Sequence, residues 1–202
     1  EHTNRILFYL TCAISAWLFS DLVLWATDKP ELSMFFWSLE IILEPLIYVL
    51  TLRFFYVFID KHEDIKAKII SYSLLIPTFI LTPTKLALTG FDLTNCDRVA
   101  IEGFLPKYGY FIEIIIVIWI VLLAFDRYRK SNDKNTKKQI IFTSLGICLF
   151  LFSFSLGNIA EVITENWYIG QIGYIGLPVF LGILSYQIVR FKAFKIKIIA
   201  SQ

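Results

Sequence analysis

Residues 139–160 read QIIFTSLGICLFLFSFSLGNIA, an uncharged run that decides the fold class of this chain. A helix needs about 20 predominantly apolar residues to cross the hydrocarbon core of a bilayer, and this run is long enough. Residues 166–189 form a second run without charge. Runs of this length are typical of transmembrane helices and make short buried core helices a poor alternative.

The composition of the whole chain agrees with this interpretation. Hydrophobic residues make up 57% of the 202 residues and charged residues only 18%, and the mean hydropathy is +0.66. Soluble domains have about 45–50% apolar and about 25% charged residues. We therefore predict an all-α, polytopic transmembrane helical bundle of about six helices, with spans near residues 6–26, 32–59, 67–86, 108–125, 139–163 and 167–190.

Lysine and arginine are concentrated in every second break between the predicted spans. Residues 61–68 hold three of them, residues 127–138 hold six and residues 190–197 hold four, out of nineteen in the chain. Cytoplasmic loops of membrane proteins carry such an excess of basic residues. We expect these breaks and both chain ends, including the C-terminus, to be cytoplasmic in a multi-pass protein of the plasma membrane.

The end of the sequence differs in pattern from the bundle that precedes it. Phe191, Phe194 and Ile198 form an i, i+3, i+7 apolar seam that is typical of the start of a coiled coil. We therefore divide the chain into a transmembrane bundle over residues 1–190 and the start of a cytoplasmic signalling helix over residues 191–202. A lysine-rich amphipathic tail on the inner leaflet is the alternative for the last segment.

Three groups of residues form loose motifs in the predicted spans. They are Asn4, Arg5, Phe8 and Trp17 in the first, Trp37, Glu40 and Pro45 in the second, and Tyr174, Gly176 and Phe180 leading into residues 185–191, SYQIVRF, in the last. These motifs resemble the N-terminal seven-transmembrane region of bacterial sensor histidine kinases. The resemblance implies a homodimeric sensor whose last helix passes a signal to a cytoplasmic output domain. The chain begins at Glu1, has six predicted helices and carries no kinase segment, so we expect that a first helix is missing.

Six polar side chains lie inside the predicted spans. An ionised side chain within a bilayer costs about 2.5–3.5 kcal/mol or more, so these groups need partners or water. At about 1.5 Å per residue, four of them lie roughly 3–9 Å from the outer surface and the other two roughly 12–18 Å. We predict that they line an outward-facing acidic cavity for a small extracellular ligand, an ion or a proton: Asp21, Glu40, Glu44, Glu113, Asn158 and Glu161. Single interfacial side chains that reach outer water are the alternative.

Glu40 and Glu44 are four residues apart and share one helix face, with Pro45 directly after them. Two like charges so close oppose each other's ionisation, so we expect one of the pair to hold a proton near neutral pH. The alternative is that both carboxyl groups are neutral and hydrogen-bond neighbouring helices.

The break at residues 87–107 is the long one on the predicted outer side, and it is a candidate lid over the cavity. A simple connection between two spans is the alternative. Cys96 lies in this break, whereas Cys12 and Cys148 lie in spans nearer the inner side. We therefore expect Cys96 to be a free thiol or an intermolecular contact.

The last predicted span is rich in residues that alter helix packing. Its glycines, at positions 170, 173, 176 and 182, allow close approach of a neighbouring backbone, and Pro178 marks the place where a bend is expected. Pro45 and Pro178 are therefore candidate relay residues that would pass occupancy of the cavity to the seam of Phe191, Phe194 and Ile198. Close packing without signalling is the alternative.

Catalytic, cofactor and metal sites are not predicted in this segment. The two histidines, His2 and His62, lie in polar breaks, so the spans lack the residues for haem, a metal cluster or a Ser-His-Asp arrangement. Basic residues confined to inner loops give no support for nucleic-acid binding, and membrane lipids are the expected surroundings. We predict a sensory input domain and no enzyme activity; a small cation or proton transporter or channel that uses the same carboxyl groups is the alternative.

Overall fold

A computed structural model describes residues 2–60, 64–92, 99–164 and 171–191 of the protein, and only the backbone at residues 91, 92, 99, 158–164, 171, 172 and 187–191. The described residues form an all-α bundle with a short β-hairpin. The elements in chain order are α1 (His2–Ala26), α2 (Pro30–Asp60), α3 (Ile65–Ser73), α4 (Ile76–Leu81), β1 (Leu88–Asp92), β2 (Val99–Glu102), α5 (Phe104–Lys130), α6 (Lys134–Thr164), a 3-10 helix (Gln171–Ile175) and α7 (Gly176–Phe191). The predicted fold class is confirmed.

Four of the helices, α1, α2, α5 and α6, are long and apolar enough to cross a membrane. They coincide with the first, second, fourth and fifth predicted spans. Their outer faces carry large apolar side chains that are about half exposed, such as Phe19, Leu122 and Phe152. A soluble surface rarely exposes apolar patches of this extent, whereas lipid tails cover them. The protein is therefore a membrane protein with transmembrane helices.

The third predicted span is divided into two short helices. Pro77 has no N–H to donate to the carbonyl of Ser73, so the α-helical hydrogen-bond pattern is interrupted there. The chain turns more tightly instead, and the Leu75 N–H bonds to the carbonyl of Tyr72 at 3.0 Å. The helix ends at Leu81, close to Pro83 and before the predicted end at residue 86.

The last predicted span also changes character along its length. A 3-10 helix covers Gln171–Ile175, and the α-helical part, α7, begins at Gly176. Pro178 therefore lies in the first turn of α7, where its missing N–H removes no helical hydrogen bond. The change in helix type falls before Pro178 and not at the predicted bend. Pro45, in contrast, lies inside a helix that continues to Asp60.

The core of the bundle is built around α2. Almost every side chain from Ile47 to Val57 is buried, and helices α1, α5 and α6 all contact this part of the chain. Tyr48 and Phe54 are fully buried, as are Ile112 and Ile116 on α5. α7 packs on α6, where the rings of Phe150 and Phe180 stack with their centroids 5.5 Å apart.

The β-hairpin was not predicted, since residues 87–107 were interpreted only as a candidate lid or a simple connection. Strands β1 and β2 are antiparallel, and Leu88 pairs with Glu102. Ala87 and Leu88 form a second small core with Ile41 of α2 and Leu105 of α5. The hairpin is thus packed against the ends of two long helices.

The opposite end of the bundle carries the charged contacts between helices. The guanidinium group of Arg127, at the end of α5, lies 2.8 Å from the carboxylate of Asp60, at the end of α2. Asp133 accepts a hydrogen bond from the N–H of Thr136 at 2.8 Å at the start of α6, and hydrogen bonds from the Thr136 side chain and backbone lower the pKa of Asp133. These contacts fix the end of α5 and the start of α6, which carry six of the nineteen basic residues.

Candidate functional site

Four of the six predicted site residues have described side chains, and they lie on three of the long helices. Asp21 belongs to α1, Glu40 and Glu44 to α2, and Glu113 to α5. Glu113 is 1% exposed, and the other three are half-buried. Each of Asp21, Glu44 and Glu113 contacts a polar side chain from another element of the bundle.

Asp21 and Glu44 belong to a group that we call the Trp17 cluster: Trp17, Asp21, Glu44 and Tyr174. The indole N–H of Trp17 donates to Oε1 of Glu44 at 3.3 Å. The hydroxyl of Tyr174 donates to Oδ2 of Asp21. The rings of Trp17 and Tyr174 lie 5.6 Å apart, so the two hydrogen bonds are joined by an aromatic contact. The cluster therefore links α1, α2 and the 3-10 helix.

Glu113 belongs to a second group, the Glu113 cluster, which also contains Tyr48, Ser155 and the backbone carbonyl of Leu151. Oε2 of Glu113 lies 2.8 Å from Oγ of Ser155. That hydroxyl is 2.5 Å from the hydroxyl of Tyr48, which in turn lies 2.9 Å from the carbonyl oxygen of Leu151. The cluster links α5, α6 and α2 through a single line of oxygen atoms.

The two clusters meet on α2. Glu44 and Tyr48 are four residues apart, so they occupy one face of that helix a turn apart. Trp17 packs edge-on against Phe154 of α6 with ring centroids 4.6 Å apart, and Phe154 precedes Ser155. A displacement of α2 against α6 therefore changes contacts in both clusters.

An apolar crevice borders the Trp17 cluster. The residues that line it come from α1, α2, α6, the 3-10 helix and the start of α7, and they include Ile14, Trp17, Ile47, Phe154, Tyr174 and Leu177. Its described lining residues include no carboxylate. Three of the predicted carboxyl groups, Asp21, Glu44 and Glu113, are thus hydrogen-bonded inside the bundle, and the apolar crevice lies beside two of them.

The remaining predicted residues are only partly visible in the structure. Asn158 and Glu161 lie in the last turns of α6, where the backbone alone is described, and Phe191 is the last residue of α7. Phe194, Ile198 and Cys96 lie outside the described residues. Oε1 of Glu40 is buried, one turn before Glu44.

The β-hairpin is connected to α2 by a further carboxyl contact. Nε1 of Trp37 donates to Oε1 of Glu102 at 3.3 Å. Burial raises the pKa of Glu102 above its ordinary value, and the hydrogen bond from Trp37 and the charge of Lys107 oppose that rise. The candidate lid is therefore attached to α2 at its second strand.

Sequence reasoning missed the donors that contact the carboxyl groups. Tyr48 and Ser155 were not singled out, and Trp17 and Tyr174 were noted only for their place in the motifs. The spacing of Glu44 and Tyr48 was a usable signal, because residues four apart share a helix face. Ser155 lies in the uncharged run that decides the fold, where nothing local marks it as a carboxyl partner.

Comparison of the chain with protein-family models, with curated proteins and with solved structures found no match. The functional argument therefore rests on the residues and contacts described above.

Proposed function

We propose that this chain is a membrane sensory input domain of a signal-transduction protein of the histidine-kinase type. In this proposal a small extracellular ligand, an ion or a proton acts on the intramembrane carboxyl groups. The observation that carries the proposal is the hydrogen bond from Tyr174 to Asp21, because Tyr174 lies two residues before α7, the helix that would carry the signal onward.

The Trp17 cluster offers a route from the carboxyl groups to that last helix. A change in the charge of Asp21 alters its bond to Tyr174, and a change at Glu44 alters the position of the Trp17 indole against the Tyr174 ring. Both effects converge on the 3-10 helix that leads into α7. Ligands shift such equilibria only when they interact differently with the two packings, and a buried carboxyl group provides that difference.

The contact between α6 and α7 is close enough to pass on a displacement. A side-chain carbon added at Gly176 would lie 2.8 Å from Cα of Phe150, so the two backbones are in near contact. Two turns further along α7, Ile183 lies beside Gly146 of α6, where an added side-chain carbon would lie 3.1 Å from the Ile183 side chain. A helix held this closely moves with its neighbour and does not slide past it freely.

The proposed orientation of the bundle across the membrane is based on the distribution of its basic residues. The end of the bundle with Arg127 and the α5–α6 connection faces the cytoplasm of the plasma membrane, and α7 leads towards a cytoplasmic output domain. The hairpin end with Trp37 and Glu102 faces outside. Dimerisation of two chains through the continuation of the last helix would bring two output domains together.

The proposal is tested by joining the full chain, after Gln202, to the cytoplasmic part of a histidine kinase and reconstituting it in lipid vesicles. Autophosphorylation is measured while the external pH and the Na⁺ concentration are varied. We expect the kinase rate to respond to one of these, and Asp21→Asn and Glu44→Gln to remove the response. Asp126→Asn is the matched control, since Asp126 is paired with Lys130 at the far end of α5.

A kinase rate that is insensitive to both conditions and to both substitutions contradicts a sensory role of these carboxyl groups. Passage of protons or Na⁺ across the same vesicles, abolished by Asp21→Asn or Glu44→Gln with no change in kinase rate, would also contradict it. That second result would favour the transporter or channel.

A further inference from the structure

The Glu113 cluster contains more hydrogen-bond contacts than its hydroxyl protons can serve. Three contacts connect Glu113, Ser155, Tyr48 and the Leu151 carbonyl in a line. Each hydroxyl has one proton to donate. If Glu113 were a carboxylate, two protons would have to serve three contacts.

The direction of each hydrogen bond follows from the end of the line. A backbone carbonyl has no proton, so the 2.9 Å contact with Leu151 is a hydrogen bond only when the Tyr48 hydroxyl is the donor. In the 2.5 Å contact between Tyr48 and Ser155, the Ser155 hydroxyl is then the donor. No hydroxyl proton remains for the 2.8 Å contact between Ser155 and Oε2 of Glu113.

We propose that Glu113 is a proton-binding site: its carboxyl group holds a proton on Oε2 and donates it to Ser155, which donates to Tyr48, which donates to the Leu151 carbonyl. The ligand of the intramembrane carboxyl groups is then a proton. The effect of proton binding on signalling rests on the proposed function. The proton comes from water, and no bond other than O–H and hydrogen bonds changes.

The other oxygen of the same carboxyl group supports the assignment. Oε1 of Glu113 is buried, and no described residue hydrogen-bonds to it. A buried carboxylate oxygen without a partner is far more costly than the carbonyl oxygen of a neutral acid. A neutral Glu113 therefore supplies the proton for the contact between Oε2 and Ser155. It also lowers the free-energy cost of burying Oε1 without a hydrogen bond.

The groups that surround Glu113 supply no positive charge. From α2, the titratable side chains on the facing side are Tyr48 and Glu44, and from α6 the described neighbour is the Ser155 hydroxyl. Helix α4 has no titratable residue, and the residues one turn away on α5 are Gly109, Tyr110, Ile116 and Val117, of which only Tyr110 is titratable. Among the described side chains, none within hydrogen-bond distance of Glu113 is cationic.

Release of the proton must change the contact between α2 and α6. An ionised Glu113 accepts the hydrogen bond from Ser155, so no proton is left between the Tyr48 and Ser155 oxygens, 2.5 Å apart, as long as Tyr48 donates to Leu151. Two oxygen atoms with only lone pairs facing each other repel at this distance. When Glu113 loses its proton, the Tyr48 hydroxyl therefore turns from Leu151 to Ser155 or the two helices separate.

The test is infrared spectroscopy of the full chain in lipid nanodiscs, with the spectrum of each variant subtracted from that of the wild type. At neutral pH the wild type minus Glu113→Gln difference should show the carbonyl stretch of a protonated carboxylic acid. The wild type minus Asp126→Asn difference should show a carboxylate band only, because Asp126 is ion-paired with Arg127 and Lys130.

Tyr48→Phe is the second variant, since it removes the oxygen that accepts the hydrogen bond from Ser155 and keeps the aromatic ring. The partners available to both forms of Glu113 then differ, so the proton concentration needed to produce the acid band should change by about tenfold. Absence of an acid band in the Glu113→Gln difference, or an unchanged titration in Tyr48→Phe, would overturn the inference. The kinase-fusion experiment reports separately on the proposed function, because this spectrum needs no output domain.

Discussion

Hydroxyl and indole groups supply the polar contacts that water provides outside a membrane. Tyr174 donates to Asp21 and Trp17 to Glu44, while Ser155 lies against Glu113. Each partner comes from a different element of the chain, so the polar contacts also hold those elements together. Removing one partner leaves a largely buried carboxyl group with one polar contact fewer.

Tyr174→Phe should lower the free energy of unfolding of the bundle in detergent by about 1–3 kcal/mol, because a hydrogen bond to a carboxyl group is lost. Unfolding is followed by loss of helical circular dichroism as denaturant is added. Tyr9→Phe is the control, since the Tyr9 side chain is 51% exposed, and its effect should stay within about 0.5 kcal/mol. Equal effects of the two substitutions would contradict the bond between Tyr174 and Asp21.

Glu102 should make attachment of the hairpin depend on pH. A carboxyl group whose pKa is raised by folding binds protons more tightly in the folded state. The stabilisation that Glu102 provides is therefore fully present below pH 4.5, its ordinary pKa, and is lost as the pH rises through the higher pKa of the folded state.

Hydrogen exchange at the Gly103 amide, which donates to the Ala87 carbonyl, measures opening of the hairpin. After correction for the intrinsic exchange rate, opening should become more frequent with rising pH in the wild type and not in Glu102→Gln. Protection that increases with pH would contradict this assignment.

The carboxyl groups could be found from the sequence, and their partners could not. A charge inside an apolar run is costly wherever the run folds, so Asp21 and Glu113 stand out without a structure. Their partners lie 153 and 42 residues further along the chain. No local spacing connects residues so far apart, and only the packing of the helices brings them together.

Among the elements, the hairpin depends on a close backbone contact at Gly103. A side-chain carbon at this position would lie 2.2 Å from the carbonyl oxygen of Leu86, whereas at Gly90 nothing lies within 4 Å. Gly103→Ala should therefore cost about 1–3 kcal/mol and detach the hairpin, while Gly90→Ala should have little effect. Protease cleavage within residues 87–103 measures the detachment. Equal cleavage of the two variants would contradict the close contact.

The α6–α7 contact can be tested in the same way. A side-chain carbon at Gly176 would lie 1.9 Å from Oγ of Ser153 and 2.8 Å from Cα of Phe150, and at Gly182 nothing lies within 4 Å. Gly176→Ala should push α7 away from α6 and lower the midpoint of thermal unfolding, and Gly182→Ala should leave it unchanged. A lower midpoint in Gly182→Ala alone would contradict this packing.

Long apolar elements were predictable and short or interrupted ones were not. A predominantly apolar run that is long enough to cross the bilayer predicts a helix even where it carries a few charged residues, which is why α1, α2, α5 and α6 fall where they were expected. The division between α3 and α4 depends on a single residue, Pro77. Strands β1 and β2 are five and four residues long, and their pairing depends on docking against Ile41 and Leu105, which no local pattern reveals.

For the whole molecule, the two clusters make α2 the element through which the carboxyl groups are connected. Glu44 and Tyr48 lie on one face of α2, in contact with α1 and α6, and Tyr174 carries the connection to the start of α7. From the proposed proton site and these contacts through α2, we expect the protonation of Glu113 to determine how α7 is positioned against the rest of the bundle.

Pulsed electron-spin distance measurements in nanodiscs test this claim directly. Spin labels are placed at Ile118 on α5 and Leu181 on α7, both about half exposed, after each of the three native cysteines is replaced by serine. We predict that the distance between the labels shifts as the pH is raised in the otherwise wild-type chain, and that it stays at its low-pH value in Glu113→Gln. A distance that does not change with pH in the wild type, or that changes equally in Glu113→Gln, would contradict the account.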